Sequence, residues 1–359
     1  MPAFIQLADP RGYLPCPTED MLTDIPYRDY WLNFFPRHFK KVIVKLALDT
    51  YGKRKARDIQ ACCDDLSREF RALKKKPALY GELNLLVLDL IRQQRLHSYC
   101  IPDPFQKLKA RENQAMLKLY PKLIAELDVH TSASEELLLL VEGVFAGNIF
   151  DLGAGATAEL YSVDSPDFIQ VRDGLGGKPW LYDHFDAFAK RALRKPGYKK
   201  VILFIDNAGS DCILGVLPLT RWLANRGTTV VLAANRLPAL NDMTFRETTD
   251  ICTRVAALDP LFAKLFKRRR IRVIDSGGVA PLIDLRHVSD ICNKEAADAD
   301  LVILEGMGRG LESNFDARFK CDAVKLCMIK EQIVADRHGG KLFDVVFRFD
   351  RAGKRSRRG

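Results

Sequence analysis

The sequence predicts an α/β protein: a doubly wound α/β/α fold with a mainly parallel sheet, and an N-terminal helical domain packed on it. Two patterns carry this. From Lys200 onward, short apolar runs of strand length alternate with helical stretches, as in sheets buried on both faces and joined by crossover helices. Before residue 178, apolar positions recur at three- and four-residue spacing without strand-like alternation, so that half reads as helices. The chain divides into a mainly helical region, 1–178, whose end contributes to the cleft, an α/β domain, 179–350, and a basic tail, 351–359, expected to be disordered.

The elements follow in order. Phe39 to Leu48, Arg57 to Leu73, Gly81 to Arg95, Glu112 to Ala125 and Ser134 to Ala146 each carry apolar residues at helical spacing, and a bundle packed on the sheet as a cap would bury those faces. The glycines and proline between Gly174 and Pro179 mark the join. Asp183 to Leu193 is a helix leading into the first strand. Strands are expected at Lys200 to Ile205, Thr228 to Ala234, Ile271 to Ile274, Leu301 to Leu304 and Leu342 to Phe349. Ile213 to Leu223, closed by Arg226-Gly227, forms the first crossover helix, and the right-handed crossover makes its strands parallel. Asn314, Lys320 and Asp322 open the last helix, near Ala323 to Ala335, and the short return Asp336 to Lys341 turns the last strand antiparallel.

Ligands of such sheets bind beyond the carboxyl ends of the strands, and four consecutive strand ends here carry polar or glycine-rich residues. The first ends in Asp206-Asn207-Ala208-Gly209, and the second leads through Asn235 to Asp242. Alone, each is a turn or a helix cap. Together, Asp206, Asn207 and Asp242 offer two carboxylates and an amide oxygen, hard ligands suited to Mg²⁺ or Mn²⁺ more than to zinc. The third strand ends in Asp275-Ser276-Gly277-Gly278, whose small residues let backbone N–H groups approach an anion. The fourth ends in Glu305-Gly306-Met307-Gly308-Arg309, with two glycines for close approach and a guanidinium that can fork a phosphate.

Four strings, FIDNAG at 204–209, AANRLPALND at 233–242, EGMGRG at 305–310 and NFDARFKCDAVKLCMIK at 314–330, resemble the metal-dependent damage-control phosphatases. EGMGR is similar to the mark of their pantothenate-kinase-associated branch, and a stand-alone member is implied because no kinase portion accompanies it. The likeness runs from Phe145 to Phe349 and includes GVFAGNIFDLGA at 143–154; in the earlier residues only helical character matches. It departs in a compact segment between Asp250 and Ile271 that holds the basic run Lys267 to Arg270.

The resemblance implies metal ligation by Asp206, Asn207 and Asp242, and catalytic roles for Asp206, Asp242 and Lys320. It also implies substrate or phosphate contacts from Asn148, Ser276, Gly277, Glu305, Arg309 and Lys320. The implied activity is hydrolysis of a small-metabolite phosphomonoester, 4′-phosphopantetheine or its oxidised and damaged forms, with Mn²⁺, Co²⁺, Ni²⁺ or Mg²⁺ as cofactor. The residues themselves support the reaction class only. The cation would neutralise phosphate oxygens, Lys320 and Arg309 would hold the remaining charge, and the amides of Ser276 to Gly278 would complete the cradle. A metal-activated water and the Asp206 carboxylate both remain open as nucleophile. The alternative function is a catalytically silent protein that binds a phosphometabolite.

Composition agrees with a globular enzyme. The 359 residues are 47% hydrophobic and 28% charged. No run of eighteen apolar residues occurs, and Met1 to Asp24 carries prolines and charges where a secretory signal needs an apolar core, so a cytoplasmic protein is expected. Nine cysteines form no CxxC pair and six histidines no HExxH motif, which points to reduced thiols. The net charge of +10 is concentrated in Lys74 to Lys76, Lys267 to Arg270 and the tail. Without an RNA-binding aromatic motif or zinc finger these read as solvated faces, so the expected partner is a phosphorylated metabolite, with no specific nucleic acid and no membrane. Asp151 to Thr157, DLGAGAT, resembles the glycine-rich motif of methyltransferases. It lacks the long buried strand that motif needs and has Thr157 in place of the third glycine, so it reads as a turn beside the cleft.

Overall fold

The structure, a computed structural model, describes residues 1–16, 20–149, 168–175 and 177–353. The Asp151 to Thr157 turn, Gly176 of the expected join and the tail from residue 354 lie outside the described residues.

Seven strands form one sheet: β1 Tyr182–Asp183, β2 Lys200–Phe204, β3 Thr229–Ala234, β4 Ile271–Asp275, β5 Leu301–Glu305, β6 Asp322–Met328 and β7 Val345–Asp350. Their order is β1-β7-β6-β5-β2-β3-β4. β2 to β6 run parallel, β7 pairs antiparallel with β6, and β1 runs parallel to β7. The chain moves outward from β2 to β3 and β4, then returns to lay β5 on the other side of β2. The crevice between β2 and β5 is therefore the topological switch point, where open α/β sheets bind their ligands.

Strand alternation sorts the side chains into two layers. Val201, Leu203 and Ile205 face a core shared with helices α5 (Gln106–Leu127) and α6 (Ala133–Ile149), while Ile202 and Phe204 face one containing Phe4, Leu285 and Phe319. Helices α1 (Ile25–His38), α2 (Val44–Tyr51), α3 (Ala56–Lys75) and α4 (Leu85–Ser98) carry a third core, which docks onto the sheet through Leu282, Met307, Leu311, Cys327 and Ile329. Several of these follow β5 and β6, so the helical cluster lies over the edge that carries the strand-end loops.

The five expected N-terminal helices are present with shifted ends. The first is split into a π-helical turn, Phe39–Ile43, and α2. The sequence does not foreshadow α1, because its many aromatics and internal Pro36 blur its period. The helix expected over Ala323 to Ala335 is corrected: Asp322–Met328 is a strand, and only Gln332–Arg337 is helical. Lys325 breaks the apolar run of β6 and gives it an amphipathic look. In the fold its Nζ is buried and satisfied by the carbonyls of Phe315 and Ala317, each at 2.7 Å, and by Asp350 at 3.0 Å. Burial lowers this lysine to about 8. The antiparallel β7 agrees with expectation; the two-residue β1 is an addition to it.

Candidate active site

Backbone pairing zips the two acidic turns together. Asn207 and Asp242 form an isolated antiparallel bridge. Around it Ala208 N–H donates to the Asn241 carbonyl and Met243 N–H to the Asp206 carbonyl, each at 2.9 Å. Neither carboxylate is a helix cap. The helix after β3 starts at the Thr244–Glu247 capping box, and Ser210 occupies the N-cap after β2. From α5, Asn113 Oδ1 accepts the Gly209 N–H at 2.7 Å and pins the first turn.

Freed from capping, the two carboxylates converge on one guanidinium. Arg309 is 1% exposed and makes ion pairs with Asp206 and, at 2.7 Å, with Asp242. Burial lowers its pKa to about 9. Asn235 Nδ2 donates to Asp242 Oδ2 at 2.9 Å and fixes that side chain. Asn207 donates its Nδ2 to Asp206 at 2.8 Å and to Asp211 at 2.9 Å, which leaves its amide oxygen as the ligand atom.

A further carboxylate layer lies behind the switch crevice. Oxygens of Asp206, Asp211 and Glu305 all lie within 4.8 Å of one another. Glu305 accepts the Asp206 N–H at 2.7 Å, across the crevice from β5 to β2. Asn148, at the end of α6, donates to Asp211 at 2.9 Å and to Glu305 at 3.2 Å. Burial pushes both carboxyls up, Glu305 well above the usual range, and Lys330 partly offsets this. Asp211 Oδ1 has no hydrogen-bond partner although it is buried. An orphaned carboxylate oxygen among converging hard donors fits a divalent cation. This three-carboxylate group and the expected Asp206-Asn207-Asp242 set share Asp206.

Gly306 makes the convergence sterically possible. Its φ is +97°, and a Cβ there would overlap the carboxylate of Asp206 and lie 2.8 Å from that residue's own Cβ. Only glycine lets the β5 loop pass so close to the carboxylate.

The expected site residues are not all brought together. Asp206, Asn207, Asp242 and Arg309 converge, while Glu305 and Asn148 lie buried behind them, bracing carboxylates rather than lining the cavity. Ser276 and Gly277 are corrected. The Ser276, Gly277 and Gly278 N–H groups donate to the Ala234 carbonyl, Asp275 Oδ1 and Ser276 Oγ at 2.8, 2.7 and 3.1 Å. The first amide is spent on β3 and the other two on the turn's own side chains, so the turn presents no amide cradle. Lys320 is corrected too. It precedes β6, whose Asp322 is level with Leu301 at the start of β5, so it stands at the opposite end of the sheet. It is exposed there, and its Nζ donates to the Ile5 carbonyl at 2.7 Å.

The lysine at the carboxyl edge is Lys330, two residues beyond β6 and 2% exposed. It lines one cavity with Asp206, Asn207 and Asp242. Sequence reasoning misses both Lys330 and Asp211; Asp211 lies one helical turn after Asn207, a spacing that could have flagged it. The far wall of the cavity comes from α1 and α4, with Trp31, Phe34, Phe35, Asp89 and Arg92. A larger cleft, about 650 Å³, opens at the opposite sheet edge among Arg194, Lys195, Lys199, Arg226 and Arg270. No carboxylate lines it among the described residues, so it lacks the hard acidic ligands of the switch crevice.

Fold and site together define an α/β protein with a buried carboxylate centre at the switch point of its sheet. The chain belongs to the family described as the damage-control phosphatase ARMT1-like domain, whose model matches residues 33–346. It is 36% identical, over 93% of its length, to a damage-control phosphatase of Arabidopsis thaliana, of which it covers 91%. It is 31% identical over 96% of its length to the 4′-phosphopantetheine phosphatase of Mus musculus, and 38% identical over 97% to pantothenate kinase 2 of Arabidopsis thaliana. It spans 48% and 41% of those two proteins. A solved structure of a duf89 family protein from Pyrococcus horikoshii shares the fold, with a TM-score of 0.62 at 18% identity over 88% of this chain and 96% of that one.

Proposed function

We propose that this chain is a metal-dependent phosphatase acting on a small-metabolite phosphomonoester, 4′-phosphopantetheine or its oxidised forms, as a damage-control enzyme of the coenzyme A pathway. The observation that carries the reading is the convergence of buried Asp206 and Asp242 at the switch crevice, where both pair with the Arg309 guanidinium. Two relatives are named for phosphatase activity, one of them for 4′-phosphopantetheine. The cavity's aromatic wall, Trp31 and Phe34, suits an uncharged chain beyond the phosphate.

Asp206, Asn207 and Asp242 would hold the metal, Mn²⁺, Co²⁺, Ni²⁺ or Mg²⁺, with Asp211 supplying a further carboxylate from behind. When bound, such an ion neutralises phosphate charge and lowers the pKa of water. Arg309 would then give up its place between the carboxylates and turn its fork to the phosphate. Lys330 would take the role expected of Lys320, holding part of the phosphate charge. Glu305 and Asn148 hold Asp206 and Asp211 in place. Eight of the nine cysteines are buried, which fits a reducing compartment such as the cytoplasm. Among the described residues no helix is long and apolar enough to cross a membrane.

A phosphate-release assay across these four metals and a panel of phosphometabolites tests the reading. Turnover of 4′-phosphopantetheine that disappears with chelator is the expected result. Tight binding without turnover under every metal would instead favour a silent metabolite-binding protein. The two lysines provide an internal check. Lys320→Ala should leave turnover within about twofold and stability within ~0.5 kcal/mol, as for other exposed sites. Lys330→Met should lower kcat by about 10²-fold, the scale of one lost electrostatic donor. The reverse outcome would return the catalytic lysine to position 320.

A further inference from the structure

We infer that Arg92, on α4 of the helical cluster, holds the substrate phosphate from the side facing the sheet, with Asp89 as its positioning partner. The inference rests on the phosphatase reading and assigns that site a specificity residue from outside the sheet.

Arg92 and Asp89 line the same cavity as Asp206, Asn207 and Asp242, and each is only 3% exposed. They pair one helical turn apart, Arg92 donating Nη2 to Asp89 Oδ1. The guanidinium lies 4.9 Å from the ring centroid of Phe35, which fixes its plane. Its Nε has no hydrogen-bond partner. A guanidinium carries five N–H donors, and among the described residues Arg92 makes its one hydrogen bond to Asp89.

Burying a cation against a single carboxylate is costly unless its remaining donors are met. Arg92 lines the cavity that Asp206, Asn207 and Asp242 also line, so its guanidinium shares that space with the carboxylate centre. Arg309 meets the centre from the sheet side, paired with Asp206 and Asp242, and Arg92 adds from the helical side a second guanidinium whose Nε is unused. A phosphomonoester dianion between the carboxylate-held cation and Arg92 would satisfy both, because its oxygens match the guanidinium fork. The phosphate then bridges the helical cluster and the sheet, and substrates without a phosphate lose the contact that joins them.

The test compares Arg92→Gln, Arg92→Lys and the double variant Asp89→Asn/Arg92→Gln in the full chain. The double variant keeps the experiment decisive, since removing both charges leaves neither buried alone. Inorganic phosphate binding to Mn²⁺-loaded protein, KM and kcat for the phosphomonoester, Mn²⁺ affinity and melting temperature are measured. Arg92→Gln and the double variant should weaken phosphate binding and raise KM by about 10- to 100-fold, with Mn²⁺ affinity unchanged, and Arg92→Lys should recover part of the loss. Unchanged phosphate affinity in a folded double variant overturns the assignment. So does a parallel fall in Mn²⁺ affinity and melting temperature, which would make the pair purely structural. If the wild type turns over no ester, the phosphatase reading fails, and phosphate binding alone still decides for or against Arg92.

Discussion

Asp206→Asn is expected to fold and to lose metal-dependent phosphatase activity by about 10³-fold or more, the scale on which charge-neutralising groups act in phosphoryl transfer. The substitution is nearly isosteric but removes the negative charge that Arg309 now meets and that a divalent ion would need. Asp206 also belongs to both candidate ligand sets, the one with Asn207 and Asp242 and the one with Asp211 and Glu305. No neighbouring carboxylate therefore replaces it without rearranging the β2–β5 crevice. Arg309 keeps Asp242 as partner at 2.7 Å, so the buried guanidinium is not stranded and the core should hold. Calorimetric titration with Mn²⁺, run beside phosphate release and a thermal melt, checks the prediction. A folded Asp206→Asn protein with full metal-dependent turnover would falsify the site.

The second large effect is expected at a residue with no side chain. Gly306→Ala forces a left-handed backbone, φ +97°, on a residue with a Cβ, and drives that Cβ into the Oδ2 and Cγ atoms of Asp206. The backbone strain costs about 1–3 kcal/mol, and the clash must push Asp206 away. A displacement near ~1 Å in a catalytic group costs about 10²-fold in rate, so turnover and Mn²⁺ affinity should fall together. Gly81→Ala separates the two contributions. Gly81 has φ +82°, and a Cβ added there would meet nothing within 4 Å, so it should lose a similar amount of stability and keep full activity. Equal activity in the two variants would show that the approach of the β5 loop to Asp206 is not needed.

Much of this site was legible because its chemistry sits at strand ends. Val201 to Ile205 announces a buried parallel strand, and the Asp-Asn turn after it falls where such sheets bind ligands. The same logic found Asp242 and Arg309. It failed at Lys320 for a single reason: the period assigned to Asp322–Met328. A helix beginning there leaves Lys320 at the ligand edge. A parallel strand over the same residues reverses the geometry, sending Lys320 to the far end and delivering Lys330. Lys325 caused the misreading, because a charged residue in a short apolar run imitates an amphipathic helix. Its buried partners, the Phe315 and Ala317 carbonyls and Asp350, are distant in pattern although near in space.

The sequence by itself determined the parallel α/β architecture, the family, and the two acidic turns with their guanidinium, since each rests on local periodicity or on a contiguous string. Tertiary structure alone decided which polar groups are used up and which remain available. It spent the Ser276–Gly278 amides on β3 and on the turn's own side chains, put Asn148 and Glu305 behind the carboxylates, and brought Arg92 from the helical cluster into the cavity that Asp242 lines. Those outcomes depend on long-range packing and on competition for hydrogen bonds, and neither quantity is encoded in the spacing of residues along the chain.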